Sequence, residues 1–371
     1  MSNALLTPDS ITDFQAALRH GKEQGGHVVV CGSQSKTRIV SSAATTISTT
    51  SYAGIVDHQA SDFTITARAG TLVRDLCRAL DKKGQHLPFD PTFVDRNATI
   101  GGLVAAGMNG PCRLRFGGIR DFIIGCEFLD GNATVVRGGG RVVKNAAGFD
   151  IPKFLVGSAG RFGLLLEVTF KVFPRPKCYR TLRFETGNLE SSVVLMQTLH
   201  KALEFEAIDI VDSTTVFARA SGEDESVLDA TEQSVRAASQ QDLHVLSVEE
   251  DQSTWAELAN CSSLPDSSLL LKVPMTQKRI LDFDQLTNGQ RVRYSVAGNV
   301  AVLQLRSHED LATFEAKLWQ CGLAAQTIVG PSDLFLHGDV PGLSYLRKVK
   351  SALDPNDVFA ALNMTPNGVA T

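Results

Sequence analysis

Apolar positions alternate between two periods along this chain, and the change of period marks its elements. After the turn and helix start Pro8-Asp9-Ser10, residues 11–24 carry a helical spacing. The run His27-Val-Val-Val-Cys31 predicts a short buried strand that stops at Gly32. Phe63, Ile65 and Ala67 alternate with Thr64, Thr66 and Arg68, the period of a strand with one buried face. Thr71 is placed to cap a helix in which Leu72, Val73, Leu76, Cys77 and Leu80 share a face, and Gly84 to end it. Strands at 122–129 and 134–136 flank Asp130-Gly131-Asn132, an Asp-Gly hairpin signal. A strand at 164–173 runs into Pro174-Arg175-Pro176, a domain boundary. Beyond it, helices are expected at 189–205, 223–240, 310–321 and 345–353. Strands are expected at 182–184, 208–211, 243–248, 268–273 and 300–305. Such alternation reads as an α+β domain.

Composition narrows this little. A chain of 371 residues favours two domains, and 43% hydrophobic with 20% charged residues is a globular balance. The formal charge of -4 supplies no reason to expect a nucleic-acid partner. No apolar run approaches the roughly 18–20 residues of a membrane span, and no secretory signal is expected. The seven cysteines are scattered and none form CxxC, so neither a disulfide framework nor a metal or iron–sulfur site is expected in this chain. A reducing, cytoplasmic setting follows.

Glycines are dense between Gly101 and Gly163 and sparse after Gly187, as where backbone approaches a ligand closely. Gly32-Ser-Gln-Ser-Lys36 follows a strand, and a turn of this composition can gather amide donors and a cation around an anion. It is not a Walker A loop, because Ser35 precedes Lys36. The spacing of Gly157, Gly160 and Gly163 is not a Rossmann fingerprint either. Two further stretches stand out: Ala98-Thr-Ile-Gly-Gly102 followed by 110–121, and Lys144-Asn-Ala-Ala-Gly-Phe-Asp150 followed by Gly157-Ser-Ala-Gly-Arg-Phe-Gly163.

In this order, from Gly32 to Pro176, these motifs resemble the FAD-binding domain of the vanillyl-alcohol oxidase and p-cresol methylhydroxylase (PCMH-type) superfamily. The likeness is greatest to the FAD-binding subunits of bacterial glycolate oxidase. It implies an α+β chain: a PCMH-type, two-subdomain FAD-binding fold over residues 1–176, then a smaller α+β cap or substrate domain over 177–371. It implies FAD, held non-covalently since the first loop has no histidine, with Cys112 the residue to watch as an exception. Gly32, Ser33, Gln34, Ser35 and Lys36 would hold the diphosphate, and Thr99, Ile100, Gly101 and Gly102 would close on it. Gly110, Arg115, Gly117 and Asp121 would line the cleft, and Gly163 and Leu164 would touch the nucleotide through main chain.

The resemblance further implies oxidation of a small 2-hydroxy acid such as glycolate. It implies assembly with a second flavoprotein and an iron–sulfur subunit, in the cytoplasm or peripheral to the inner membrane through those partners. The competing reading is an FAD-bearing electron-transfer or assembly subunit whose partner does the chemistry. No catalytic base is assigned. Arg120–Asp121 is expected as a structural ion pair and Asn145 as a turn residue as readily as a flavin neighbour of Lys144. His337 is expected at the surface, and Phe149 and Phe162 in the core. After Phe359 the chain departs from the family's Asn-Pro-Gly ending, with the turn displaced to Pro366-Asn367-Gly368.

Overall fold

A computed structural model describes residues 5–25, 27–38, 45–140, 149–202, 205–238, 242–261, 269–287, 289–331 and 333–362. Lys144, Asn145 and the displaced turn at 366–368 lie outside the described residues, as does part of the strand expected at 268–273.

The first part of the chain builds two sheets. Helix Ile11–Glu23 begins where the Ser10 hydroxyl accepts the Asp13 amide at 3.2 Å. It buries Phe14, Ala17 and Leu18 against a parallel sheet ordered Leu5–Leu6, Thr45–Ser48, Val28–Cys31. The second sheet is antiparallel, in the order Ile55–Gln59, Thr64–Arg68, Leu164–Lys171, Ile123–Leu129, Val135–Gly139. Helices Val73–Asp81 and Ile100–Ala106 share its core, with Val73, Leu76, Leu80, Ile100 and Val104 fully buried.

Several local expectations change here. Strand Thr64–Arg68 is buried on both faces, because the Thr66 hydroxyl pairs with that of Thr169 at 2.9 Å; Phe63 stands outside it and is part-exposed. Thr71 does not cap helix Val73–Asp81: its hydroxyl bonds both the amide and the carbonyl of Gly54. The turn at Asp130 is longer than a two-residue hairpin, with the Asp130 carboxylate accepting the amides of Asn132 and Thr134. The strand expected over 243–248 ends at Val245, and Val248 opens a helix capped by Ser247.

Sheet membership changes between Lys171 and Cys178. The second part forms a ten-stranded sheet, antiparallel apart from one short parallel strand, Thr37–Arg38, contributed by the first part. Helices Leu189–Ala202, Glu225–Ala238, Ile280–Thr287 and His308–Gln320 pack one core on it. Its opposite face carries Leu270, Val300, Val302, Ile328 and Val329 into the core of the first part, so the larger sheet lies over the smaller. A buried network pins the two together. Arg219 reaches the Asp90 carboxylate at 3.2 Å and Glu206 at 3.5 Å, and its guanidinium rests on the Tyr179 and Trp255 rings.

The chain end then returns to the first part. Val28 donates its amide to the Val358 carbonyl at 2.7 Å, and Ala360 donates to the Val28 carbonyl at 3.2 Å. The Asp354 carboxylate fixes this segment by accepting the Val358 and Phe359 amides and the Lys350 ammonium.

Candidate functional site

Where these parts meet, strand Val28–Cys31 ends and the chain turns through Gly32 to Lys36. The turn faces helix Ile100–Ala106 and the bend from Ser158 to Gly163, leaving an open cleft with a smaller adjoining lobe. Val30, Cys31, Gly32, Gly102, Ala105 and Gly160 line both. The second part closes the cleft with Gln326, Thr327, Ile328 and Gly330, and Ala360 completes the wall.

Close packing around its glycines fixes the turn. A Cβ on Gly32 would stand 2.1 Å from the Thr99 hydroxyl oxygen, and one on Gly101 2.9 Å from the Ala69 Cβ. The Ser33 hydroxyl donates to the Asn97 carbonyl at 2.6 Å, and Gly330 donates its amide to the Lys36 carbonyl at 3.1 Å. Both sides of the loop are therefore anchored, one of them to the second part of the chain.

Lys36 is the electrostatic centre of the turn. It is buried, donates to the Ser35 hydroxyl at 3.1 Å and lies 5.1 Å from the Phe93 ring centroid. Burial lowers its pKa to about 8, and among the described residues no carboxylate is paired with it. A buried ammonium without a carboxylate is costly, and an anionic ligand in the cleft relieves that cost. The Cys31 thiol also lines the cleft, and burial pushes it up to about 11, so it is a neutral thiol.

The expected site residues divide into two groups. Gly32, Ser33, Gln34, Ser35, Lys36, Thr99 and Gly102 line the main cleft, and Gly101, Gly102 and Gly163 line its lobe. Ile100 is buried in the core with its amide donated to the Thr71 carbonyl at 2.8 Å, and the Gly101 amide goes to the Ala69 carbonyl at 2.8 Å. Leu164 is likewise buried, packed among the Phe14, Tyr52 and Phe359 cluster, and its neighbour Leu165 reaches the lobe instead.

Gly110, Arg115, Gly117 and Asp121 are not among the residues that line the cleft. Gly110 abuts Asp90, Arg115 lines a separate groove with His200 and Lys201, and Gly117 turns against the Asp121 carboxylate. Asp121 turns back on its own short helix and accepts the Gly118 amide at 2.8 Å, which takes the place of the expected ion pair with Arg120. Cys112 is buried in the Arg219 network, outside the cleft.

Other expectations are overturned by burial. His337 is interior: it is 1% exposed, its Nε2 lies 2.7 Å from the Thr327 hydroxyl, and burial lowers its pKa to about 4. Phe149 is 69% exposed, whereas Phe162 is in the core. Cleft residues that the motifs did not single out include Ala105, Ala106, Ile328, Phe335 and Ala360, small or apolar positions, and the polar Gln326 and Thr327. Gln326 and Lys272 also grip helix Ile100–Ala106 at its far end, donating to the Ala106 and Gly107 carbonyls at 3.1 and 3.0 Å.

Comparison with known proteins agrees with this geometry. Residues 2–139 match the FAD binding domain family. Glycolate oxidase subunit GlcE of Escherichia coli is 41% identical over 138 residues, which is 37% of this chain and 39% of that protein. Glycolate oxidase subunit GlcD of Bacillus subtilis is 31% identical over 157 residues, 41% of this chain and 33% of that one. A D-lactate dehydrogenase of Anaerostipes hadrus is 29% identical over 177 residues, 46% of this chain and 37% of that one. The chain thus spans well under half the length of these relatives. Over almost its whole length it shares the fold of an alkyldihydroxyacetonephosphate synthase, with a TM-score of 0.69 at 14% identity, covering 97% of this chain and 76% of that one.

Proposed function

We propose that this chain, whose first part is an FAD-binding domain of the PCMH type, is the FAD-binding subunit of an oxidoreductase acting on glycolate or a similar 2-hydroxy acid. The observation that carries this reading is the buried, carboxylate-free Lys36 in a glycine turn beside Gly102, in a domain similar to glycolate oxidase subunits. The residues fit the cofactor: Gly32, Gly102 and Gly160 bring backbone to the cleft surface, and a buried cation lines it. Gly32 to Lys36 and Gly102 would hold the diphosphate, with the Gly163–Leu165 end of the lobe beside the remainder of the nucleotide. When bound, FAD supplies the acceptor for the hydride leaving the α-carbon of the hydroxy acid. The chain's share is to bind and orient that group and to exclude water by closing Gln326, Ile328 and Ala360 over it.

Electrons would leave through a partner bearing iron–sulfur clusters. Among the described residues no group of three or more His, Cys, Asp or Glu is placed to hold a metal. No helix of the described residues is long and apolar enough to cross a membrane, and membrane association through partners is part of the same proposal.

One observation favours the second reading, an FAD-bearing subunit whose paralogous partner oxidises the substrate. Among the described residues lining the cleft, the titratable groups are Cys31, Lys36 and Arg161, and none is a carboxylate or imidazole suited to take the hydroxyl proton. Anaerobic addition of glycolate to the purified, FAD-loaded chain separates the two. Bleaching of the flavin absorbance supports oxidation on this chain. A spectrum unchanged by the chain alone, but bleached once a partner flavoprotein is added, supports the second.

A further inference from the structure

Arg161 lies in the bend between Ser158 and Gly163, inside a glycine motif that gave it no role of its own. Its side chain is buried and lines the same cleft as Lys36, from a different wall. Among the described residues, these two are the cations of the cleft. The guanidinium is held from several sides. Its plane rests 4.7 Å from the centroid of the Phe335 ring, itself a cleft residue. One of its terminal nitrogens donates to the Ala361 carbonyl. Asp333 stands near enough to favour its charge, although burial still lowers its pKa to about 10.

Ala361 is the key partner, because it belongs to the segment that returns from the second part and bonds Val28 on both sides through Val358 and Ala360. Val28 begins the strand that delivers Gly32. The chain end therefore braces both the anion-binding turn and the arginine that shares its cleft.

A diphosphate carries two charges on oxygens that point to different sides. One ammonium is a point charge, whereas a guanidinium offers a planar fork of donors suited to phosphate oxygens. We infer that Arg161 is a second cation of the cofactor's diphosphate site, held toward the cleft by the Phe335 ring and by the carbonyl of the returning C-terminal segment. This rests on the reading of the cleft as the FAD site, and deepens it by naming the second charge.

The test uses the full chain stripped of cofactor, with calorimetric titration of FAD, ADP and riboflavin into wild type, Arg161→Met and Arg161→Lys. ADP carries the diphosphate without the ring, and riboflavin the ring without the diphosphate. In Arg161→Met, Kd for FAD and ADP rises by about tenfold or more, and riboflavin binding is unchanged. The slope of log Kd against log salt becomes shallower, and Arg161→Lys recovers part of the loss. Equal binding of FAD and ADP by wild type and Arg161→Met overturns the inference. So does a loss spread equally over all three ligands with a lower apo melting temperature, which marks a purely structural side chain. A folded wild-type chain that binds neither FAD nor ADP would instead overturn the assignment of the cleft itself.

Discussion

Replacing Asp354 by alanine tests how the chain end is held and what depends on it. The Asp354 side chain is fully buried, against Gly131, where a Cβ would lie 2.1 Å from its Oδ1. It accepts the amides of Val358 and Phe359 at 2.8 and 2.9 Å and the Lys350 ammonium at 2.5 Å. Lys350 keeps one other hydrogen bond, to the Phe359 carbonyl at 2.9 Å, and its side chain is only 10% exposed. Asp354→Ala therefore leaves two buried amides unpaired and takes from Lys350 its buried carboxylate, leaving it the more exposed Asp357 carboxylate at 3.6 Å. Leaving one partner of a buried pair costs about 3–5 kcal/mol, a large share of the roughly 5–15 kcal/mol that holds a domain folded.

Some of that cost should be met by local release of the segment from Val358 to Ala361 instead of global unfolding. Urea unfolding should move to a lower midpoint, and hydrogen exchange should quicken at the Val28 and Ala360 amides before it does in the central sheet. FAD affinity should fall as well, since Ala360 is part of the cleft wall. The double variant Lys350→Met/Asp354→Ala should recover part of the loss by removing the Lys350 charge. An Asp354→Ala chain within about 1 kcal/mol of wild type, with Val28 still protected, would refute the reasoning.

Three further outcomes follow from other buried charges. Lys36→Met should weaken FAD binding by about 1.5–3 kcal/mol, measured by fluorescence titration, and wild-type affinity should fall as pH rises through about 8, where this lysine loses its proton. Apo stability should respond the opposite way. The unfolded chain keeps that proton up to about 10.5, so burial of Lys36 costs most below pH 8 and progressively less from there to 10.5, a trend that should vanish in the wild-type-minus-variant difference if Lys36 is not its source. His337→Gln should remove an acid sensitivity: neutral burial of His337 contributes stability that is complete above pH 6.5 and lost as pH falls toward 4. Denaturant curves across that window should differ by about 2–3 kcal/mol. Arg219→Met strands Glu206 and Asp90 between the two sheets, and a loss of about 3–5 kcal/mol in urea is expected; a neutral outcome would mean the network does not hold the parts together.

Much of the fold was legible because its elements obey one clear period. Helix Ile11–Glu23 and strand Val300–Leu305 fall where the apolar spacing put them, within a residue. What escaped was structure whose polar residues are buried. Strand Thr215–Gly222 carries Arg219, which reads as a solvent-facing charge and in fact enters the interface between the sheets. Strand Ala324–Pro331 begins with small residues and a glutamine, yet it supplies Gln326 and Ile328 to the cleft. The strand expected over 243–248 overran the start of helix Val248–Asn260, where Ser247 and Glu250 form a local capping box. For the two strands the partner that decides the matter is far away in sequence.

The site shows the same division more sharply, because glycine, aspartate and serine serve turns and ligands alike. Gly32 and Gly117 look equivalent in a motif. Gly32 packs against Thr99 on the cleft, whereas Gly117 makes room for a carboxylate that caps a four-residue helix elsewhere. Ile100 and Gly101 sit inside the motif that best matches a flavin loop, but their amides are spent on the Thr71 and Ala69 carbonyls. A glycine-rich motif therefore marks where backbone comes close to something without saying what that something is. The distinction lies in which amides and cations remain uncommitted once the sheets have closed. By that measure Lys36, where a buried ammonium meets a hydroxyl and a ring instead of a carboxylate, is the residue on which the proposed anion site first depends.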